Sequence, residues 1–217
     1  YRKTARKSLG NNMTIYLEET EGNNKREIKK SNKRKLIIDS GIKVFVEKGV
    51  AEATVRDIIR STGLASGTFY NYFKSKEDVL VAIFDDFALD IGENIRSKKD
   101  IPKDFEEFLS MKITTFLTYV LNKPELHLIM SNNHNTVSNF SINTPQIILE
   151  IDYLKEEIKE GIKKGIFPEI DLNLLGLVLR PVTDSIAQEM LKQKKPNVKK
   201  HTKKCVKFLI NGLVEAK

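Results

Sequence analysis

TVRDIIRSTGLASGTFYNYF, residues 54–73, reads as two short helices on either side of a glycine turn. Thr54 has the side chain of an N-cap. Val55, Ile58 and Ile59 follow on one face, and Gly63 breaks the first helix. A second short helix is predicted over residues 66–72. Phe69 and Phe73 are four apart, so they share a face that anchors this helix to a core. Ser66, Gly67, Tyr70 and Asn71 then fall on or beside the outer face. Small residues there let a backbone come close to base edges, while hydroxyls and amides can hydrogen-bond phosphates and bases. The pattern is that of a helix-turn-helix, whose second helix can lie in a major groove.

The flanking sequence agrees. Upstream, from Ser31, residues Leu36, Ile37, Ile38, Ile42, Phe45 and Val46 recur at helical spacing, and Gly49 follows as a left-handed terminator. Gly41 lies inside this helix, at a cost of about 1 kcal/mol relative to Ala, where it can admit a close neighbour. Downstream, Ser75 caps a long helix whose stripe is Leu80, Phe84, Phe87, Ile91 and Ile95. Every later segment with a readable period is helical. Residues 105–121, 125–130, 147–162, 171–191 and 197–215 are predicted helices, and SNNHNTVSNFSINTP (131–145) reads as a polar loop. The expectation is an all-α chain of about nine helices.

Composition excludes several classes. Of 217 residues, 40% are hydrophobic and 30% charged, enough apolar content for a packed core. One cysteine, Cys205, leaves no internal disulfide and no multi-cysteine zinc site. His127, His134 and His201 lack metal-ligand spacing. The paired acids Asp85-Asp86 and Glu156-Glu157 are adjacent, so they do not share a helix face for acid–base work. No metal, no cofactor and no enzymatic activity are expected, nor any membrane span; the expected compartment is the cytoplasm. The net charge of +8 is unevenly spread: +7 over residues 1–35, zero over 36–78, −5 over 79–170 and +6 over 171–217. Residues 1–30 read as a basic, mostly irregular arm suited to a polyanion.

From Lys33 to about Val81 the chain resembles the TetR (tetracycline-repressor) family of transcriptional regulators. The resemblance rests on Phe45-x-x-x-Gly49, TVRDII and TGLASGTFYNYFKSKEDVL, with GTFYNYFKSKE its most specific part. It implies a helix-turn-helix domain over residues 31–78 and an α-helical regulatory and dimerisation domain over 79–217. It also implies that Thr54, Tyr70, Tyr72 and Lys76 contact phosphates, and that Ser66, Gly67 and Thr68 approach bases or backbone. Asn71 is the candidate for sequence reading, while Lys33 and Arg34 lie where a basic extension can reach DNA. Ala65 departs from the pattern, standing where many members have a capping Ser.

The expected function is a ligand-responsive homodimeric repressor on a pseudo-palindromic duplex operator. One recognition helix reads too few base pairs alone, so a twofold dimer built on the last two helices is expected. Phe84, Phe87, Phe116, Tyr119, Met130, Phe140, Tyr153 and Arg180 are candidates to line a pocket for an apolar or amphipathic small molecule. Pro181 should kink its helix. Two other readings are open: a regulator with no small-molecule effector, and a basic helical protein at an anionic membrane surface.

Overall fold

A computed structural model describes residues 27–97, 101–132 and 144–213. Nine helices lie among the described residues. α1 covers 27–48. It is followed by α2 (Val55–Thr62), α3 (Ser66–Tyr70), α4 (Lys76–Arg96), α5 (Phe105–Asn122) and α6 (Pro124–Asn132). The remainder are α7 (Pro145–Lys163), α8 (Leu172–Leu191) and α9 (Val198–Leu213). Among the described residues there is no strand element, so the chain is all-α, as its periodicities require.

Some boundaries differ from the sequence reading. Residues 27–30, expected to end an irregular arm, are already helical and exposed. Glu27, Ile28, Lys29 and Lys30 extend α1 beyond the turns that pack, without an apolar period to announce it. The rest of the expected arm lies outside the described residues. α3 is two residues shorter than predicted, ending at Tyr70. In the predicted polar loop, residues 131–132 complete α6 and Pro145 opens α7; residues 133–143, with Phe140, lie outside the described part.

Two apolar cores form. The first gathers Ile37 and Phe45 of α1, Ile58 of α2, Phe69 of α3, and Val79, Leu80, Ile83 and Phe84 of α4. Leu126 and Ile129 of α6 complete it. The second joins Phe105, Phe108 and Leu117 of α5 to Ile158 of α7, Met190 of α8 and Leu209 of α9. Each such side chain contributes about 1.5–3 kcal/mol by leaving water. α1 and α4 pack closely because Gly41 has no side chain: a Cβ there would lie 2.6 Å from Val79 Cγ1. Leu36 and Val46, expected in the stripe of α1, are instead exposed, and Val44 is buried.

The connections of the first four helices are set by backbone chemistry. Gly49 and Gly63 have φ of 78° and 67°, the left-handed values that end α1 and α2. Ser75 caps α4, its hydroxyl accepting from Asp78 N. α4 leaves the first core at Phe84 and runs on past α5 and α7. α8 is continuous through Pro181, and beside it the Thr183 hydroxyl donates to the carbonyls of Leu179 and Arg180. None of the helices is long and apolar enough to cross a membrane, among the described residues.

Candidate functional site

The helix-turn-helix is built from its caps. Thr54 makes a complete capping box with Asp57: Asp57 N donates to the Thr54 hydroxyl, and Thr54 N donates to the Asp57 carboxylate. Lys48, the last residue of α1, donates to Asp57 Oδ1 at 2.7 Å. Lys48 and the Thr54 hydroxyl hold the Asp57 carboxyl down at about 2. The end of α1 and the start of α2 are thereby tied together. α3, by contrast, begins at Ala65 with no side-chain cap.

Phe69 and Phe73 are buried beneath α3, their ring centroids 6.1 Å apart. Ser66, Gly67, Tyr70 and Asn71 are exposed on the other side, while Thr68 and Tyr72 are half-buried. Tyr72 packs against the first core. The Tyr70 ring stands edge-on to Phe69, and the residue is 57% exposed. A Cβ added at Gly67 would meet nothing within 4 Å. Nothing inside the chain therefore requires glycine there, although glycine costs a helix about 1 kcal/mol relative to alanine.

The three basic residues expected at this surface are placed differently from one another. Lys33 is exposed. Arg34 pairs with Asp86 of α4 at 3.4 Å and lies 5.8 Å from the Phe73 ring centroid. Lys76 turns inward. Its ammonium donates to the carbonyls of Val50, Ala51 and Ala53, each at 2.8 Å. An ammonium has three donors, so this geometry uses all of them. Lys76 braces the turn that presents Thr54, where the resemblance had implied a phosphate contact.

A cavity of about 260 Å³ opens between α4, α5, α7 and α8. Of the candidates from sequence, Phe84, Phe87, Phe116, Tyr153 and Arg180 line it. Tyr119 is not in the lining. Its hydroxyl donates to Asp90 Oδ2 at 2.9 Å, and Lys123 donates to the same oxygen at 2.8 Å. Burial pushes the Tyr119 hydroxyl up to about 12, reinforced by Asp90 and opposed by Lys123. The side chain of Met130 lies outside the described residues. Arg180 faces Asp184 at 3.5 Å.

Sequence reading missed the charged rim of this cavity. Arg96 of α4 pairs with Glu150 of α7, and Lys112 of α5 pairs with Glu157 of α7 at 2.6 Å. Glu150 also packs onto Gly92, where a Cβ would lie 2.2 Å from Glu150 Oε2. Helical periodicity marks faces, and these pairs span 45 and 54 residues. No local pattern carries them.

The described residues thus form a helix-turn-helix with an exposed face on α3, joined by one long helix to a cavity-bearing helical bundle. The family model of bacterial regulatory proteins of the tetR family matches residues 37–83. Over those residues the chain is similar to that family. It is 35% identical over 88 residues to the HTH-type transcriptional regulator YvdT of Bacillus subtilis, an alignment covering 40% of this chain and 45% of that one. The chain thus spans under half the length of that relative. To the fatty acid metabolism regulator protein of Bacillus subtilis it is 28% identical over 151 residues, 62% of this chain and 78% of the relative. Its fold matches that of the regulator FadR from Bacillus subtilis, solved in complex with stearoyl-CoA. The TM-score is 0.61 at 23% identity, covering 82% of this chain and 97% of that one.

Proposed function

We propose that the protein is a homodimeric, operator-binding repressor released from DNA by an amphipathic, acyl-chain effector. The observation that carries the DNA reading is the exposed face of α3, with Gly67 open to an external surface. On this reading the chain divides near residue 78 into a reading domain and a regulatory domain. Ser66, Gly67 and Thr68 approach the groove, Asn71 reads a base edge, and Tyr70 and Tyr72 reach phosphates through their hydroxyls. Thr54 presents the N-terminus of α2, and Lys33 and Arg34 lie toward the flanking backbone. Lys76 acts through the turn that it braces.

Dimerisation is supported by α8 and α9, where Leu177 is 73% and Phe208 65% exposed. Large apolar side chains left this open mark a surface that meets a partner. The effector reading is supported by the cavity against α4 and by the relatives' chemistry, one a fatty acid metabolism regulator and another solved with stearoyl-CoA. The protein works in the cytoplasm, where operator and effector meet.

Selection of bound sequences from random duplex DNA tests the first half; a pseudo-palindrome with half-sites about 34 Å apart is expected. Titrating the selected duplex with fatty acids and acyl thioesters tests the second. Recovery of no preferred sequence would overturn the operator reading. Operator binding indifferent to every acyl compound would overturn the effector reading.

A further inference from the structure

Beside the apolar cavity lies a second, smaller pocket of about 200 Å³. The two share four residues: Ile95, Arg96, Lys112 and Glu157. One side of this wall is the apolar chamber of the proposed effector site. On the other side Lys112 and Glu157 stand with Thr115 and Pro102. Both cations at the wall have a resident carboxylate, but the two pairs are buried in opposite senses.

In the Arg96–Glu150 pair the buried member is the anion. The Glu150 side chain is 17% exposed against 45% for Arg96. Gln146 donates to its other oxygen at 2.8 Å, and the carboxylate rests on Gly92. Arg96 also lies 5.4 Å from the Tyr153 ring centroid. Removing this carboxylate would leave Arg96 and Gln146 without their partner and open the space on Gly92, so the pair is a fixture.

The Lys112–Glu157 pair is reversed. The Lys112 side chain is 16% exposed and its ammonium sits 4.8 Å from the Phe108 ring centroid, whereas Glu157 is 54% exposed. A buried cation needs an anion beside it. A half-exposed carboxylate gives up little when it turns out to water, since its pairing is screened there. Glu157 is therefore a replaceable counterion over a cation that cannot leave.

We propose that this wall is the head-group site of the effector, where a carboxylate on an apolar chain displaces Glu157 and is held by Lys112. The chain lies in the larger cavity, so the inference rests on the effector reading and narrows it to a singly charged anionic head. A cationic head would meet Lys112 and be refused. A neutral head would leave Glu157 in place and gain nothing from the cation.

The test is displacement of a neutral fluorescent dye, Nile red, from the full chain by dodecanoate, dodecanol, dodecylamine and dodecanoyl-CoA. Wild-type protein should bind dodecanoate about tenfold or more tighter than dodecanol, as a hydrogen bond to a charged group implies. Lys112→Met keeps the stem and should erase that preference while leaving dodecanol unchanged. Glu157→Gln, at an exposed site, should tighten dodecanoate severalfold by weakening the competitor. Equal binding of acid and alcohol by wild type would overturn the head-group site and leave the effector cavity standing. So would a preference that survives Lys112→Met, weaker dodecanoate binding by Glu157→Gln, or tighter binding of the thioester that is indifferent to Lys112. If no twelve-carbon compound displaces the dye, the effector reading fails and this site falls with it.

Discussion

Gly67 is the residue at which fold and function want different things. Within the chain it is a defect in a short helix, since a Cβ there touches nothing. Gly67→Ala should raise folding stability by about 0.5–1 kcal/mol. The same methyl would stand between the α3 backbone and a groove, so operator affinity should fall about tenfold or more, or 1.4 kcal/mol. Thermal melts and a binding titration on one preparation check both; a stabilised variant with undiminished affinity would place α3 away from the DNA. Asp57 offers a pH test. Its folded carboxyl is held near 2, below the ordinary 3.8, so its contribution is present above about pH 4 and is lost as pH falls toward 2. Asp57→Asn should therefore melt lower than wild type at neutral pH and lose less on acidification over that window. Identical slopes in melts from pH 5 to 2 would show the Lys48–Asp57–Thr54 cluster to be energetically idle.

Among the elements, what was legible was what is local. α2 is the predicted VRDIIRST, because its cap, its apolar face and its terminating glycine lie within ten residues. Gly41 could be read as a packing position because a mid-helix glycine has few other uses, and Val79 is its neighbour. The inward turn of Lys76 could not be read. Its acceptors lie 23–26 residues upstream, and they are carbonyls, which every sequence has. A lysine at a helix start looks the same whether it faces a phosphate or the turn that follows α1. The two roles predict different measurements. Lys76→Met should cost about 1–3 kcal/mol of stability by leaving three carbonyls without their donor, with the salt dependence of operator binding unchanged. A phosphate contact would instead lower the salt slope by about 1 at constant stability. The cavity was half legible in the same sense. Phe84 and Phe87, which line it, follow the stripe of α4, but which aromatic turns aside to an acid, as Tyr119 does to Asp90, depends on a residue one helix away.

At the scale of the whole molecule, α4 makes one object of two cores. Phe84 is 1% exposed within the first core and also lines the cavity, and Phe87 packs on that core while facing the same space. A molecule filling the cavity would therefore press on two side chains that belong to, or pack on, the first core. In the proposed dimer two such heads would have to stay about 34 Å apart to enter successive major grooves, so a small pivot of α4 in each protomer would spoil both contacts at once. The proposed effector would act only through its preference for the pivoted state, and linkage would make that preference reciprocal. If an acyl compound weakens operator binding by some factor, between about 5 and 150 for ordinary coupling, the operator must weaken that compound by the same factor. Calorimetric titration of the compound with and without a saturating duplex measures it directly. Phe87→Leu trims the more exposed of the two side chains through which cavity and core touch, sparing the buried Phe84. It should bring the two titrations together while leaving operator affinity in the absence of the compound nearly unchanged. Coupling of full size in that variant would mean that the signal leaves the cavity by another helix.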